Sequence, residues 1–314
     1  MHILITGGCG FVGSHLVNYF WDKSIASEIT VLDKMTYAAD EIYISDVPAR
    51  LIIKDVNDVE AVDLAGVDLV IHAAAESHVD NSFTNSLEFT LSNTLGTHKI
   101  LHTALEARTK MFIHISTDEV YGENNTPVPF DESAPFFPTN PYSASKAGAD
   151  ALAQSYHNCY GMDTRIIRAN NMYGCHQYPE KLIPKTILRL NSGFPAHIHG
   201  NGHNKRSFLH VDDFCRAVEL IVFSGAPGGI YNIPSDEEYR NIDMAKLICD
   251  FMGKDPSKAI SFVEDRPHND SRYLIEGPML YELGWKQSKS VEKELKGIID
   301  WYLGREWPSI NLNK

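Results

Sequence analysis

The chain has 314 residues, 43% of them hydrophobic, enough for one large domain or two smaller ones with a sizeable core. A formal net charge of −13 argues against a partner made of nucleic acid. The five cysteines (Cys9, Cys159, Cys175, Cys215 and Cys249) are scattered without CxxC or metal-ligand spacing, which fits a reducing, cytoplasmic setting better than a disulfide framework or a metal centre.

His2–Thr6 (HILIT) reads as the first strand, so no signal peptide is expected, and no apolar run approaches a membrane span. Directly after it, ITGGCGFVGSHL sets Gly7, Gly10 and Gly13 three apart at the start of a helix expected over Gly13–Asp22. Glycines there permit a tight turn and close backbone approach, so that a pyrophosphate can sit on the helix N-terminus. Glu28–Asp33 (EITVLD) reads as the second strand. It ends on Asp33, twenty residues after Gly13, where a carboxylate can accept hydrogen bonds from a ribose diol. Lys34 follows rather than an arginine, which favours NAD over NADP. Leu51–Asp55 reads as the third strand, with Asp55 and Val56 expected beside an adenine. Leu69–Ala73 is the fourth, and Ala73, Ala74 and Ala75 are small enough to let a cofactor pass.

A helix is expected over Asn85–Arg108 and a fifth strand over Met111–Ile115. ISTDEVYG then places Asp118 beside Glu119. Neighbours on a strand point to opposite faces, so both can reach one ligand only where the strand gives way to a loop. Ser116, Thr117 and Asp118 are all good helix caps, and capping competes with chemistry at this point. NPYSASK opens a further helix over Pro141–Tyr160, with Pro141 near its first position and Gly161 closing it. Tyr142 and Lys146 share one face of it at a spacing of four. A phenol with a pKa near 10 is only about 0.1% ionised at pH 7. A lysine ammonium and a positive nicotinamide would have to lower that pKa by ~3 units, roughly 4 kcal/mol, to make it a base. Thr164–Ala169 reads as the sixth strand.

Buried strands alternating with helices predict an α/β fold, a Rossmann-like doubly wound parallel sheet. After about residue 170 the rhythm weakens, which predicts a smaller α/β C-terminal part. Ser207–Gly225 reads as helical and is expected to return to the first domain. The predicted division is 1–168 plus about 207–228 for the dinucleotide-binding domain, and about 169–206 plus 229–314 for the second domain. Between Lys181 and His210 there are five Lys/Arg, four His and no acid, which is either a solvated basic face or the seat of an anionic small-molecule substrate.

TGGxGFxGS, YxxxK and the end of strand five together resemble the extended short-chain dehydrogenase/reductases that act on nucleotide sugars. Within them, STDEVYG is similar to the nucleotide-sugar 4,6-dehydratases; related epimerases and decarboxylases usually lack the Asp-Glu pair. The likeness continues through AAESHVDNSF, PTNPYSASKAG, NNMYGCHQYPEKLIPK, HGNGHNKRSFLHVDD and VEDRPHNDSRY. It implies NAD as cofactor, held by Gly7, Gly10, Phe11, Val12, Gly13, Asp33, Lys34, Asp55, Val56, Ala73, Ala74, Ala75, Ser116, Tyr142 and Lys146, and no metal. It further implies that Tyr142 takes the C4 hydroxyl proton as the C4 hydride leaves, while Lys146 holds the pKa of Tyr142 down and Thr117 bonds the C4 oxygen. Glu119 then removes the C5 proton, protonated Asp118 donates to the departing C6 hydroxyl, and the hydride returns to C6.

For the nucleotide sugar the resemblance implies Asn171, Lys181, Leu182, Arg206, Asn241 and Arg266 around the diphosphate and base, with Ser77, His78, Glu180, His197, His199 and Asn269 as further contacts. His199, Asn269 and Met172 stand where bacterial thymidine-diphosphate enzymes carry Tyr, His and Asn. The first two, in HxHG and RPxND, are similar to the UDP-glucose 4,6-dehydratases of plant and giant-virus rhamnose pathways. UDP-glucose is therefore the expected substrate and dTDP-glucose the runner-up. A UDP-sugar C4-epimerase and a catalytically silent nucleotide-binding protein are the other readings. Members of the family are commonly homodimers, which here implies pairing through Asn85–Arg108 and Pro141–Tyr160.

Overall fold

The structure, a computed structural model, describes residues 1–307. Residues 308–314, which the predicted division gives to the second domain, lie outside the described residues. The strands are β1 (His2–Thr6), β2 (Glu28–Asp33), β3 (Arg50–Ile53), β4 (Leu69–His72), β5 (Met111–Thr117), β6 (Thr164–Ala169), β7 (Asn171–Tyr173), β8 (Ala196–His199), β9 (Lys205–His210), β10 (Ile230–Ile233), β11 (Glu238–Arg240) and β12 (Ile260–Val263). Seven of them form one parallel sheet in the order β10-β6-β5-β4-β1-β2-β3.

The reason lies in side-chain chemistry. Along β1, Ile3 and Ile5 face one layer of helices and Leu4 the other, because successive strand residues alternate faces and both faces here are apolar. One layer carries Phe20 and Phe214, the other Ile100 and Tyr156. Each fully buried side chain of this size contributes about 1.5–3 kcal/mol.

Two expectations are corrected here. Ser207–His210 is not helical: it completes β9, and the helix begins at Val211 and runs to Ser224. That helix does pack against the helix of the glycine loop, Phe11–Asp22. The strand β10, which the predicted division leaves in the second domain, instead extends the large sheet by pairing with β6, Ile230 opposite Ile166. The smaller part is built on β11-β9-β7 and β12-β8, with its own core of Ile183, Ile187, Met244, Ile248, Leu295 and Tyr302. The expected helix over Asn85–Arg108 is Ser86–Glu106 with a π-helical stretch at Thr90–Leu95.

Candidate active site

Strand order reverses between β1 and β4, and in open α/β sheets ligands bind at the carboxyl ends of the strands beside such a reversal. A cleft opens there. Its walls hold Gly7, Gly10, Phe11, Val12, Gly13, Asp33, Lys34, Asp55, Val56, Ala73, Ala74, Ala75, Ser116, Tyr142 and Lys146, so every residue that the sequence assigns to a cofactor faces one space. Gly7 adopts φ +67, and a Cβ on Gly13 would sit 2.1 Å from the Gly7 carbonyl oxygen, so the turn closes only with glycine at these positions. Asp33 is pinned by the amides of Cys9 (3.0 Å) and Met35 (2.8 Å). Lys34 is ringed by Asp55, Glu76 and Glu88 at 3.7, 3.6 and 3.4 Å. The Ser116 hydroxyl is buried with no partner in the protein, a polar atom that a bound dinucleotide would satisfy.

β5 runs two residues past its expected end, to Thr117, and a single 3₁₀ turn over Asp118–Tyr121 follows. Thr117 caps that turn, its hydroxyl accepting from the Glu119 amide at 3.3 Å. Gly122 ends it at φ +77, where a Cβ would meet the Phe137 carbonyl oxygen at 2.1 Å. The turn aims both carboxylates inward: Asp118 is 2% exposed and Glu119 9%. The Thr117 cap thus leaves both carboxylates directed inward.

Burial, and then the neighbouring Glu119 charge, push the Asp118 carboxyl up to about 7, against hydrogen bonds from Asn170 Nδ2 (2.6 Å) and the Thr117 hydroxyl (3.2 Å). Burial also raises Glu119, but Arg206 and an Asn140 amide bond at 3.3 Å oppose it. The two carboxyls are therefore held differently: one favours its acid form near neutrality, and the other has cationic and amide support for its carboxylate.

The helix Pro141–Tyr160 starts with an Asn140–Ser143 capping box and ends on left-handed Gly161. It presents Tyr142 and Lys146 to the cleft, with Tyr142 at the Thr117 hydroxyl. Lys146 Nζ donates to the Ile115 carbonyl at 2.7 Å, and burial lowers its ammonium to about 8 against the pull of Asp150. Tyr142 departs from the sequence-based expectation. In the chain alone its phenol is raised, by burial first and then by Glu119; the Thr117 hydroxyl opposes this but does not reverse it.

The second cleft adjoins the first and is lined by His78, Glu119, Asn140, Asn171, Glu180, Lys181, Leu182, Arg206, Asn241, Arg266 and Asn269. Ser77 lies in the cofactor cleft, its carbonyl accepting from Lys181 Nζ at 2.7 Å. His197 and His199 line neither cleft. Both lie on β8, where His197 is bonded to Arg189 at 2.7 Å and His199 to the Glu264 carbonyl at 3.0 Å. The Asn171 amide nitrogen is buried without a partner, and Arg266 is paired with Asp80 at 2.7 Å. Of the basic stretch, Lys181 and Arg206 line this cleft.

Sequence reasoning missed the polar groups that hold these side chains. Asn170 and Asn140 brace the two carboxyls. Asp150 sits one turn below Lys146, bonded to Arg168 (2.8 Å) and beside His114 (3.3 Å). The asparagine before Pro141 was a readable cap signal, and Asp150 follows Lys146 by four on the same helix; His114, Arg168 and Asn170 arrive from β5, β6 and the end of β6.

The profile of the GDP-mannose 4,6-dehydratase family matches residues 4–298. A trifunctional UDP-glucose 4,6-dehydratase/UDP-4-keto-6-deoxy-D-glucose 3,5-epimerase/UDP-4-keto-L-rhamnose-reductase of Arabidopsis thaliana is 42% identical over 98% of this chain and 48% of its own length. The chain thus spans about half the length of that relative. A dTDP-D-glucose 4,6-dehydratase of Dictyostelium discoideum is 40% identical over 99% of this chain and 83% of its own. The structure of DesIV, a dTDP-glucose 4,6-dehydratase from Streptomyces venezuelae with NAD and TYD bound, superimposes with a TM-score of 0.94 at 38% identity, covering 97% of each chain. The chain belongs to the GDP-mannose 4,6-dehydratase family, among the extended short-chain dehydrogenase/reductases that act as nucleotide-sugar 4,6-dehydratases.

Proposed function

We propose that this chain is an NAD-dependent nucleotide-sugar 4,6-dehydratase whose substrate is UDP-glucose. The observation that carries the reading is the inward-facing Asp118–Glu119 pair next to Tyr142, one carboxyl raised to about 7 and the other raised by burial but opposed by Arg206 and Asn140. A water elimination needs one acidic and one basic carboxyl at once. A C4-epimerase has no use for them.

NAD, when bound, supplies the acceptor and later the donor of a hydride. Asp33 would hold its ribose, and the acids around Lys34 would repel the extra phosphate of NADP. Tyr142 takes the proton of the C4 hydroxyl, with Thr117 bonded to the same oxygen. Lys146, fixed to the Ile115 carbonyl, places positive charge behind Tyr142. The C4 ketone acidifies C5, Glu119 removes that proton, and Asp118 gives its own to the departing C6 hydroxyl. Arg206, Arg266 and Lys181 carry the charge that a diphosphate requires.

UDP over dTDP is supported by Asn269, which lines the cleft, and by the plant-like segments around it. The test is turnover in heavy water with UDP-glucose and dTDP-glucose in parallel. A 6-deoxy-4-keto product deuterated at C5, formed faster from UDP-glucose, is the expected result. Unlabelled galactose would mean epimerisation, and a faster dTDP reaction would reverse the base assignment.

The partner we infer is a second copy of this chain. Leu87, Leu91 and Leu95 are 76, 48 and 49% exposed, one turn apart along one face of Ser86–Glu106, and Ala144 and Ala151 are exposed on the adjacent Pro141–Tyr160 helix. Leu91→Arg combined with Leu95→Arg should convert a dimer to a monomer in sedimentation.

A further inference from the structure

Glu119 must dispose of the proton it takes from C5, yet it is nearly buried and faces the cleft that the substrate fills. Behind it stands Tyr273, 4% exposed, with its hydroxyl 3.4 Å from Glu119 Oε2 and donating to Asp270 Oδ2. Asp270 is 3% exposed, accepts from the Thr139 hydroxyl at 2.9 Å, and sets its other oxygen 3.0 Å from Nε2 of His268. His268 is the first group of the row that reaches solvent, its side chain 47% exposed. The row is rigidly held: Arg206 lies over the Tyr273 ring at 4.8 Å and donates to the Asp270 carbonyl at 2.9 Å, and Asn204 donates there at 3.0 Å.

A phenol carries one hydrogen. The close contact to Asp270 takes it, so Tyr273 turns a lone pair toward Glu119. While Glu119 is a carboxylate, two acceptors face each other and 3.4 Å is the separation they keep. The contact becomes a hydrogen bond once Glu119 holds a proton.

We propose that Tyr273, Asp270 and His268 form a proton exit from Glu119 to solvent; the proposal rests on Glu119 being the C5 base. Protonated Glu119 gives its proton to the Tyr273 oxygen as the phenol proton passes to Asp270. The Asp270 carboxyl turns and passes a proton to Nε2 of His268 in its Nδ1–H tautomer, and the imidazolium loses one to water. No electron pair leaves any of these groups, and each returns to its starting charge. Run backwards, the same row brings a solvent proton to C5.

The experiment is turnover in heavy water, with whichever of UDP-glucose and dTDP-glucose the enzyme accepts, read by NMR at C5. Wild type should yield a product deuterated there; if it does not, the assignment of Glu119 falls together with the relay. Asp270→Asn and Tyr273→Phe should still pass hydride from C4, but the C5 label should drop at least about five-fold, because Glu119 then returns the substrate's own proton. His268→Phe, at the exposed end, should lower the label about two-fold, and added imidazole should restore it, which a packing defect would not allow. Wild-type labelling in both Asp270→Asn and Tyr273→Phe overturns the relay and leaves Glu119 as base intact. Should the two interior variants fail to fold, His268→Phe decides: a label unchanged from wild type rejects the exit.

Discussion

The active site contains two buried ionisable pairs built on opposite principles. Tyr142 and Lys146 sit four apart on one helix and are both moved away from the forms they need: the phenol goes up, and the ammonium goes down to about 8. Asp118 and Glu119 sit side by side on a 3₁₀ turn; burial raises both, Asp118 to about 7, and at Glu119 Arg206 and an Asn140 hydrogen bond oppose the rise. Asp118, the acid of that turn, is preset near neutrality. The Tyr142 phenol, in contrast, stays raised even with Lys146 on the same helix, so the positive charge of a bound dinucleotide would still be needed. An enzyme arranged this way does not abstract the C4 proton before its cofactor is in place. Asp150, held by Arg168 at 2.8 Å, is what keeps the buried Lys146 from losing its charge altogether.

Removing one member from each pair gives the largest contrast. Tyr142→Phe should lower kcat by about 10³–10⁴-fold, with C4 oxidation slowed to the same extent and no rapid NADH formation. Glu119→Gln should lower product formation by roughly 10²–10⁴-fold while NADH still forms on mixing with substrate, because C4 chemistry precedes elimination. Stopped-flow absorbance separates the two. A Glu119→Gln enzyme that dehydrates at the wild-type rate would move the base elsewhere.

A smaller effect follows from Asp118. Its carboxyl is raised to about 7 in the folded state, above the model-peptide value of 3.8. The folded chain therefore binds a proton that the unfolded chain releases, so this group's contribution to stability is present below about pH 4 and is lost as pH rises to about 7. Asp118→Asn should be indistinguishable from wild type in denaturant titrations near pH 4 and more stable by on the order of a few kcal/mol near pH 8. In wild type, kcat should fall above about pH 7 as the acid for the C6 hydroxyl is lost.

How legible each pair was in the sequence follows from the range of the contacts that define it. The Tyr142–Lys146 helix could be read almost to the residue, because its cap, its proline and its closing glycine are all local. The glycine loop and the six strands preceding residue 170 were equally plain, since strands covered on both faces are written as apolar runs. Asp118 and Glu119 could be placed but not understood, because Asn170 and Arg206 come from β6's end and β9. Ser207–His210 was misread because β9 runs into the next helix with no glycine or proline between them, and its apolar pattern continues across the join. The edge strand β10 carries only four residues, too few for a periodicity, and its membership of the large sheet is fixed by pairing with β6 more than sixty positions earlier. His197 and His199 were read as substrate contacts, whereas their bonds on β8 to Arg189 and the Glu264 carbonyl depend on segments that the motif does not contain.

The smallest expected effect concerns the base. Uracil and thymine differ by one methyl group, about 0.8 kcal/mol if fully buried. Asn269 donates to Asp265 at 2.8 Å and accepts from Arg206 at 3.4 Å, so it reaches the nucleotide partly through the guanidinium it orients. Asn269→His should shift the ratio of kcat/KM for UDP-glucose over dTDP-glucose toward dTDP by up to about tenfold. The shift should fall on KM and leave kcat with either substrate within about two-fold, since uniform binding is what a base contact supplies. A fall in kcat without a change in the ratio would show instead that Arg206, which also supports the Glu119 carboxylate and braces Tyr273, had moved, and that the base and the elimination chemistry are coupled through one guanidinium.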